Sequence, residues 1–344
     1  MARAKNKTIL VTGGAGFIGS NFVRLVLRKS PTDRVIVFDA LTYAGNMDNL
    51  ADIKADYPDR YRFVKGDIRD RQAVDQVMPE VDVVVNFAAE SSVDRSVEEP
   101  DRFVTTDVVG VYVLMESART HGVERFLQMS TDEVYGSVET GASKEADPVE
   151  PRSPYSASKA GGELLARAYF VTYGLPIVIA RPSNNFGPYQ YPEKVVPYFA
   201  TNVIDDIPLP IYGDGRQSRD YLYVEDCCEA LWLLLEKGEP GEVYNVGAGN
   251  ERNTMQIARS VLSALGKPES LIRHVTDRPG HDRRYYLDSS KIHSLGWRPR
   301  QNFEDAFAKT IEWYVQNEGW WRKIRNSKEF RDFEAKWFTP RLKE

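Results

Sequence analysis

Two pairs of side chains in this sequence have the types and spacing to move protons. Asp132 and Glu133 stand together in Ser130-Thr131-Asp132-Glu133-Val134-Tyr135-Gly136, directly after an apolar run. Tyr155 and Lys159 follow in Tyr155-Ser156-Ala157-Ser158-Lys159. Neighbouring carboxyls can divide acid and base work, because burial and mutual repulsion keep one protonated while the other ionises. Ser153-Pro154 reads as an N-cap followed by proline at the first helical position, which places Tyr155 and Lys159 four apart on one helical face. Singly, each pair is commonplace: adjacent acids at a strand end are ordinarily a solvated loop, and Tyr-x-x-x-Lys recurs by chance. Together they suggest redox chemistry combined with elimination.

Such groups need a scaffold. The strand-like Thr8-Ile9-Leu10-Val11 runs into Gly13-Gly14-Ala15-Gly16-Phe17-Ile18-Gly19, after which Ile18, Phe22, Leu25 and Val26 share one helical face. Glycines at 13, 16 and 19 allow a tight turn, close approach to a pyrophosphate and close helix packing, with Phe17 and Ile18 opening a helix whose N-terminus favours negative charge. The second strand ends in Asp39, twenty residues past Gly19, where a carboxylate can bond both adenosine ribose hydroxyls and repel a 2′-phosphate. NAD is therefore expected over NADP. Asp67-Ile68 ends a third strand, where adenine should lie, and Phe87-Ala88-Ala89-Glu90-Ser91 ends a fourth, beside the ribose and nicotinamide. A phenol of pKa ~10 is a poor base at neutral pH, but the Lys159 ammonium and a positive nicotinamide ring favour phenolate, so Tyr155 can take a hydroxyl proton as hydride leaves. Lys159 would also hold the nicotinamide ribose.

Short β-rich runs alternate with helical patterns: 8–11, 34–38, 61–64, 83–87, 125–129 and 177–180. That order, with strands apolar on successive residues, predicts an α/β fold with a Rossmann-like, doubly wound parallel sheet. After Arg181-Pro182 the texture turns to Pro, Gly and Tyr-rich loops, with a further strand at Val243-Tyr244-Asn245-Val246. The division expected is a cofactor domain over 1–182, to which later segments return, and a smaller C-terminal lobe over 183–344 that binds substrate.

With 344 residues, 42% hydrophobic and 11% aromatic, the chain can bury a large core. No stretch is long and apolar enough to span a bilayer, and the Met1-to-Lys7 lead enters a strand without a signal-peptide apolar run, so a cytoplasmic location is expected. A formal charge of −5 argues against nucleic acid as the main partner. Cys227 and Cys228 are adjacent, which suits buried thiols better than a disulfide or zinc site, and His121, His274, His281 and His293 lack metal-ligand spacing. No catalytic metal is expected.

On Gly13 to Gly19, Ser130 to Gly136, Tyr155 to Lys159, Asn184-Asn185-Phe186-Gly187-Pro188-Tyr189-Gln190, Pro192-Glu193-Lys194, Arg219-Asp220 and Asp277-Arg278-Pro279-Gly280-His281, the chain resembles the extended short-chain dehydrogenase/reductases. Among these it closely resembles the dTDP-glucose 4,6-dehydratases, over nearly its whole length. The Asp-Glu pair separates dehydratases from the 4-epimerases of the same superfamily. The resemblance implies a redox-neutral cycle in which Tyr155 deprotonates the glucose 4-hydroxyl as hydride passes to NAD. Glu133 then removes the acidified C5 proton, protonated Asp132 protonates the departing C6 hydroxyl, and hydride returns to C6, giving a 4-keto-6-deoxy sugar. Thr131 would polarise the 4-oxygen.

The resemblance also implies Thr106 and Asn185 at the cofactor, and Ser91, Thr131, Asn184, Lys194, Val195, Arg219, Asn253, Asp277, Arg278 and His281 at the nucleotide sugar. The planar fork of Arg219 suits a pyrophosphate, the alternative being a hairpin arginine paired with Asp220 or Asp214. Pro210-Ile211-Tyr212 either covers the nucleobase or packs into the core. Two departures stand out: Ser92 and Cys227 occupy positions where similar dehydratases often have histidine. Val104, Val108, Val111 and Leu114 with Leu164, Leu165 and Tyr169 give two helices surplus apolar surface. The resemblance implies a homodimer sealed by a four-helix bundle, whereas two well-buried helices would show the same pattern. The aromatic stretch with Trp320-Trp321 and Trp337-Phe338 is expected to pack outside the lobes without chemistry. Other readings are a UDP-glucose 4,6-dehydratase, a nucleotide-sugar 4-epimerase, or an NAD-binding sensor without catalysis.

Overall fold

The six apolar runs of the first half become strands β1 (Thr8–Thr12), β2 (Arg34–Asp39), β3 (Tyr61–Lys65), β4 (Val83–Asn86), β5 (Arg125–Met129) and β6 (Ile177–Pro182) in the computed structural model, which describes residues 6–343. Residues 1–5 of the N-terminal lead lie outside that range. Past β6 come β7 (Asn184–Phe186), β8 (Leu209–Tyr212), β9 (Ser218–Tyr223), β10 (Val243–Val246), β11 (Glu251–Asn253) and β12 (Ile272–Val275). The main sheet runs β10-β6-β5-β4-β1-β2-β3, and every pairing in it is parallel. Strand order reverses between β1 and β4, which opens a crevice at their C-terminal ends.

The central strands β1 and β4 read as nearly unbroken apolar runs because both faces are covered. On one face, Ile9, Val11 and Val85 pack with Phe22 and Val26 of the helix Phe17–Lys29 and with Leu231 of the helix Val224–Lys237. On the other, Leu10, Ile36 and Val84 meet Val111, Leu114 and Ala118 of the helix Val111–Thr120 and Ala166 of the helix Pro154–Tyr173. Thus β10 and the helix Val224–Lys237 return from the second half of the chain to complete the first sheet. A separate core, with Phe186, Phe199, Phe307 and Trp321, gathers around the three-stranded sheet β11-β9-β7 and the pair β12-β8.

Two local features aim the helix Pro154–Tyr173. Ser153 and Ser156 form a reciprocal capping box with Pro154 in the first turn, which fixes where the helix begins. Thr105–Gly110 is a π-helical turn, and a Cβ on Gly162 would lie 2.4 Å from the Asp107 carbonyl oxygen, so the two segments touch backbone to backbone. Among the described residues no helix is long and apolar enough to cross a membrane.

Candidate active site

Two cavities meet above the C-terminal ends of the sheet, of about 290 and 180 Å³, and Glu133, Asn184, Asn185, Gln190 and Lys194 line both. The first contains every residue expected at the cofactor: Gly13, Gly16, Phe17, Ile18, Gly19, Asp39, Asp67, Ile68, Phe87, Ala88, Ala89, Ser91, Thr106 and Asn185, together with Thr131, Asp132, Glu133, Tyr155 and Lys159. Its floor is built for close approach. Gly13 has φ +64°, and a Cβ there would lie 2.6 Å from the Ala88 amide nitrogen; one on Gly19 would lie 2.3 Å from the Gly13 oxygen. The helix Phe17–Lys29 has neither a side-chain cap nor an acid in its first turn, which leaves its N-terminal amides to an anion. Asp39 accepts hydrogen bonds from the Ala15 and Leu41 amides at 2.9 and 2.8 Å, so it locks this loop onto the end of β2 while facing the cavity.

The acids sit on a short 3₁₀ turn, Asp132–Tyr135, immediately after β5. Thr131 caps it, its Oγ1 accepting the Glu133 amide at 3.3 Å and donating to Asp132 Oδ1 at 3.2 Å. Asp132 is buried, and its Oδ2 has no hydrogen-bond partner among the described residues. Burial, then the Glu133 charge, pushes the Asp132 carboxyl well above its ordinary range. Burial also raises Glu133, against the pull of Arg278, Arg219 and Lys194. The pair is thus biased toward one neutral acid and one potential base.

Tyr155 and Lys159 face the same space. Enclosure, Glu133 and Asp107 push the Tyr155 phenol well above its usual value. Enclosure likewise lowers Lys159, opposed by Asp107 and Glu163. Loss of water and three nearby carboxyls disfavour the phenolate, so ionising the phenol needs added positive charge beside it. The Lys159 ammonium donates to the Met129 carbonyl at 2.8 Å.

The π-helical turn presents a residue that sequence reading passed over. Asp107 accepts the Glu90 amide at 2.9 Å and the Ser158 hydroxyl at 2.7 Å, and burial pushes its carboxyl up to about 6. It joins the end of β4 to the helix of Tyr155 and Lys159.

The second cavity gathers Asn184, Lys194, Val195, Pro210, Tyr212, Arg219, Arg278 and His281. Arg219 pairs with neither Asp220 nor Asp214: it donates to the Ser218 and Asp282 carbonyls at 2.7 and 3.0 Å and lies over the Tyr285 ring. Asp220 is occupied by the Ala248 and Asn250 amides, and Asp214 by Arg283. Arg278 bonds Asp94 at 2.7 Å, while its Nε is buried with no partner among the described residues. Burial, with Arg278 and Arg219, lowers His281 to about 4, so its imidazole is neutral and bonded to Asp277 at 2.7 Å. Of 210–212, Pro210 and Tyr212 line the cavity and Ile211 is fully buried in the core.

Three placements differ from expectation. Asn253 lines neither cavity; its carboxamide caps the helix Thr254–Ala264 by accepting the Gln256 amide at 2.8 Å. Asp277 stands behind the wall, holding His281 and accepting from Gln217 at 2.8 Å. The C-terminal aromatics are not confined to the outside: Phe338 lines the second cavity, stacked on Tyr198 at 4.5 Å, and the Trp337 indole donates to the Tyr212 hydroxyl at 2.7 Å. The spacing of Phe330, Phe333, Trp337 and Phe338 marks a buried helical face, which could have flagged this helix though not its target. Ser92 reaches the second cavity and caps the helix Val93–Glu98, whereas Cys227 packs into the main core.

A switch-point crevice with a glycine cradle, a helical Tyr/Lys pair and an adjoining cationic cavity defines a dinucleotide-dependent enzyme of the extended short-chain dehydrogenase/reductase class. Residues 10–310 match the family described as GDP-mannose 4,6 dehydratase. A dTDP-glucose 4,6-dehydratase of Streptomyces niveus is 49% identical over 326 residues, 93% of this chain and 96% of that protein. The crystal structure of DesIV, the dTDP-glucose 4,6-dehydratase of Streptomyces venezuelae, aligns with TM-score 0.90 and 49% identity, covering 92% of this chain and 99% of the other. A UDP-glucose 4-epimerase of Thermus thermophilus shares the fold at TM-score 0.83 and 35% identity, over 90% and 99% of the two chains. The chain belongs to the dTDP-glucose 4,6-dehydratase family.

Proposed function

We propose that this protein is an NAD-dependent dTDP-glucose 4,6-dehydratase, converting dTDP-glucose to dTDP-4-keto-6-deoxyglucose. The observation that carries the reading is the Asp132–Glu133 pair at the junction of the two cavities, between the Tyr155/Lys159 helix and the Lys194, Arg219 and Arg278 cations. The glycine cradle, the open helix N-terminus and Asp39 fit an NAD pyrophosphate and ribose. Held there, NAD would supply a reversible hydride acceptor, for the hydride lost at C4 and regained at C6. Tyr155 takes the 4-hydroxyl proton, with Thr131 at the 4-oxygen and Lys159 supplying positive charge. The resulting ketone acidifies C5, where Glu133 removes the proton; Asp132, kept neutral by burial, protonates the leaving 6-hydroxyl, and water departs. Returning the proton to C5 restores Glu133, and the proton taken up by Tyr155 balances the one that Asp132 gave to water.

The test is mass spectrometry of purified protein with dTDP-glucose and UDP-glucose in parallel, without added reductant. A product lighter by one water from dTDP-glucose, with no net reduced cofactor, is the expected result. Loss only from UDP-glucose would overturn the nucleobase, and loss from neither would overturn dehydration. At the cofactor, Asp39→Asn is expected to weaken NAD about tenfold or more and to narrow the preference over NADP, measured by calorimetric titration. An unchanged ratio would remove Asp39 from the ribose.

We also assign the protein to the cytoplasm and to a homodimer. Val104, Val109, Tyr112, Leu164, Val171 and Tyr173 are large apolar side chains left exposed on the neighbouring helical segments 100–120 and 154–173, and Val171 is 80% exposed. A face of this kind suits a second copy of the same helices. Leu164→Glu is expected to shift sedimentation from dimer to monomer; a wild-type protein that sediments as a monomer would refute the dimer.

A further inference from the structure

Beneath the acid turn lies an ion pair that the mechanism above does not use. Arg181 of β6 and Glu163 of the helix Pro154–Tyr173 are both buried, at 0% and 1% exposure. They form a two-pronged pair, with Arg181 Nε donating to Glu163 Oε2 at 2.9 Å and Nη2 to Oε1. A buried pair of this kind gains little net stability over apolar side chains of the same volume, so stability alone does not account for it.

Its contacts are with both ends of the acid turn. At the front, the Ser130 hydroxyl donates to Glu163 Oε2 at 2.7 Å. At the back, the Arg181 guanidinium lies 4.5 Å from the centre of the Tyr135 ring, and the Tyr135 hydroxyl donates to Asn245 Oδ1 at 2.7 Å. Between Ser130 and Tyr135 stand Thr131, Asp132 and Glu133. Glu163 is also one helical turn beyond Lys159, on the helix that carries Tyr155. The pair therefore links the helix of the oxidation step to the turn of the elimination step.

We propose that the Arg181–Glu163 pair is a positioning device that holds the Thr131–Glu133 turn in register with Tyr155 and Lys159, through Ser130 and Tyr135. Resting on the dehydratase reading, this makes water loss depend on the pair more than oxidation does. Tyr155 and Lys159 are fixed by their own helix, whereas the acids ride on a single turn whose ends the pair grips. A displaced acid loses reactivity steeply with distance, without loss of substrate affinity.

The test uses three variants of the full chain loaded with NAD. Ser130→Ala cuts the front link without unpairing a charge, Tyr135→Phe removes the hydroxyl that bonds Asn245 and the Arg181 guanidinium but keeps the ring, and Glu163→Gln removes the carboxylate charge and leaves Arg181 without its counter-ion. Stopped-flow absorbance follows formation of the reduced nicotinamide, mass spectrometry follows water loss and solvent deuterium at C5, and calorimetry follows dTDP binding. In Ser130→Ala or Tyr135→Phe, water loss is expected to fall about tenfold and C5 exchange with it, while nicotinamide reduction and dTDP binding keep wild-type values. Should Glu163→Gln fail to fold, the two milder variants decide. Equal loss of both steps, or no change in either mild variant, would overturn the proposal. The wild-type control separates the ideas: water loss with an unshifted partition rejects the link alone, and no water loss by wild type rejects the dehydratase reading together with the step the link would serve.

Discussion

Tyr155→Phe should halt the cycle before anything else can happen. Removing the phenolic oxygen deletes the only expected acceptor of the 4-hydroxyl proton, a loss of about 10²–10⁴ in turnover for a positioned acid–base group. No reduced nicotinamide should form on mixing with dTDP-glucose, and the nucleotide should still bind, since the phenyl ring keeps its edge-on contact with Phe103 at 6.3 Å. The sign of the pH dependence follows from the direction of the shift. Enclosure and the neighbouring carboxyls raise the phenol, so it is protonated at neutral pH in the free protein, and oxidation should accelerate as pH rises toward its ionisation in the complex. The Phe variant should lose that dependence. Reduction at the wild-type rate in this variant would exclude Tyr155 as the base.

Glu133→Gln should fail later, and differently. Oxidation needs no carboxylate, so the reduced nicotinamide should appear and persist, while water loss and solvent exchange at C5 fall by about 10²–10⁴. In the wild-type protein Glu133 must be ionised to act, so elimination should be lost as pH falls through its raised pKa. Asp132 must be protonated to act, so elimination should also be lost as pH rises through its own raised pKa. The Gln variant removes the acidic limb and leaves the alkaline one. Equal loss of oxidation and elimination would contradict this division of labour. Rapid-mixing absorbance with quench-flow mass spectrometry distinguishes the outcomes.

Much of the scaffold was legible because its signals are local. Strand, glycine turn and helix succeed one another within 8–29, and Asp39 closes the next strand at the spacing the ribose requires. The capping box at Ser153 likewise fixes Tyr155 and Lys159 by short-range rules. What sequence could not reveal depended on distant partners. Phe338 enters the second cavity only because its helix folds back onto Tyr198 and Tyr212, far away in sequence. The direction of the Tyr155 shift in the free protein was hidden for the same reason: it is set by burial and by carboxyls from other segments.

The return of β10 has a consequence for how the protein can be made or divided. A fragment ending at Pro182 would contain β1 to β6, the glycine cradle, the acids and the Tyr/Lys pair. It would also leave the outer rim of β6 as a bare row of amides and carbonyls, where Val243–Val246 should lie, and strip the helix Val224–Lys237 from Phe22 and Val26. An unpaired apolar strand is a template for another chain, so such a fragment should self-associate. On the ribosome the same rim waits until residue 246 has emerged. The first 182 residues are thus not a unit of folding by themselves, and the second half of the chain is needed to close their sheet.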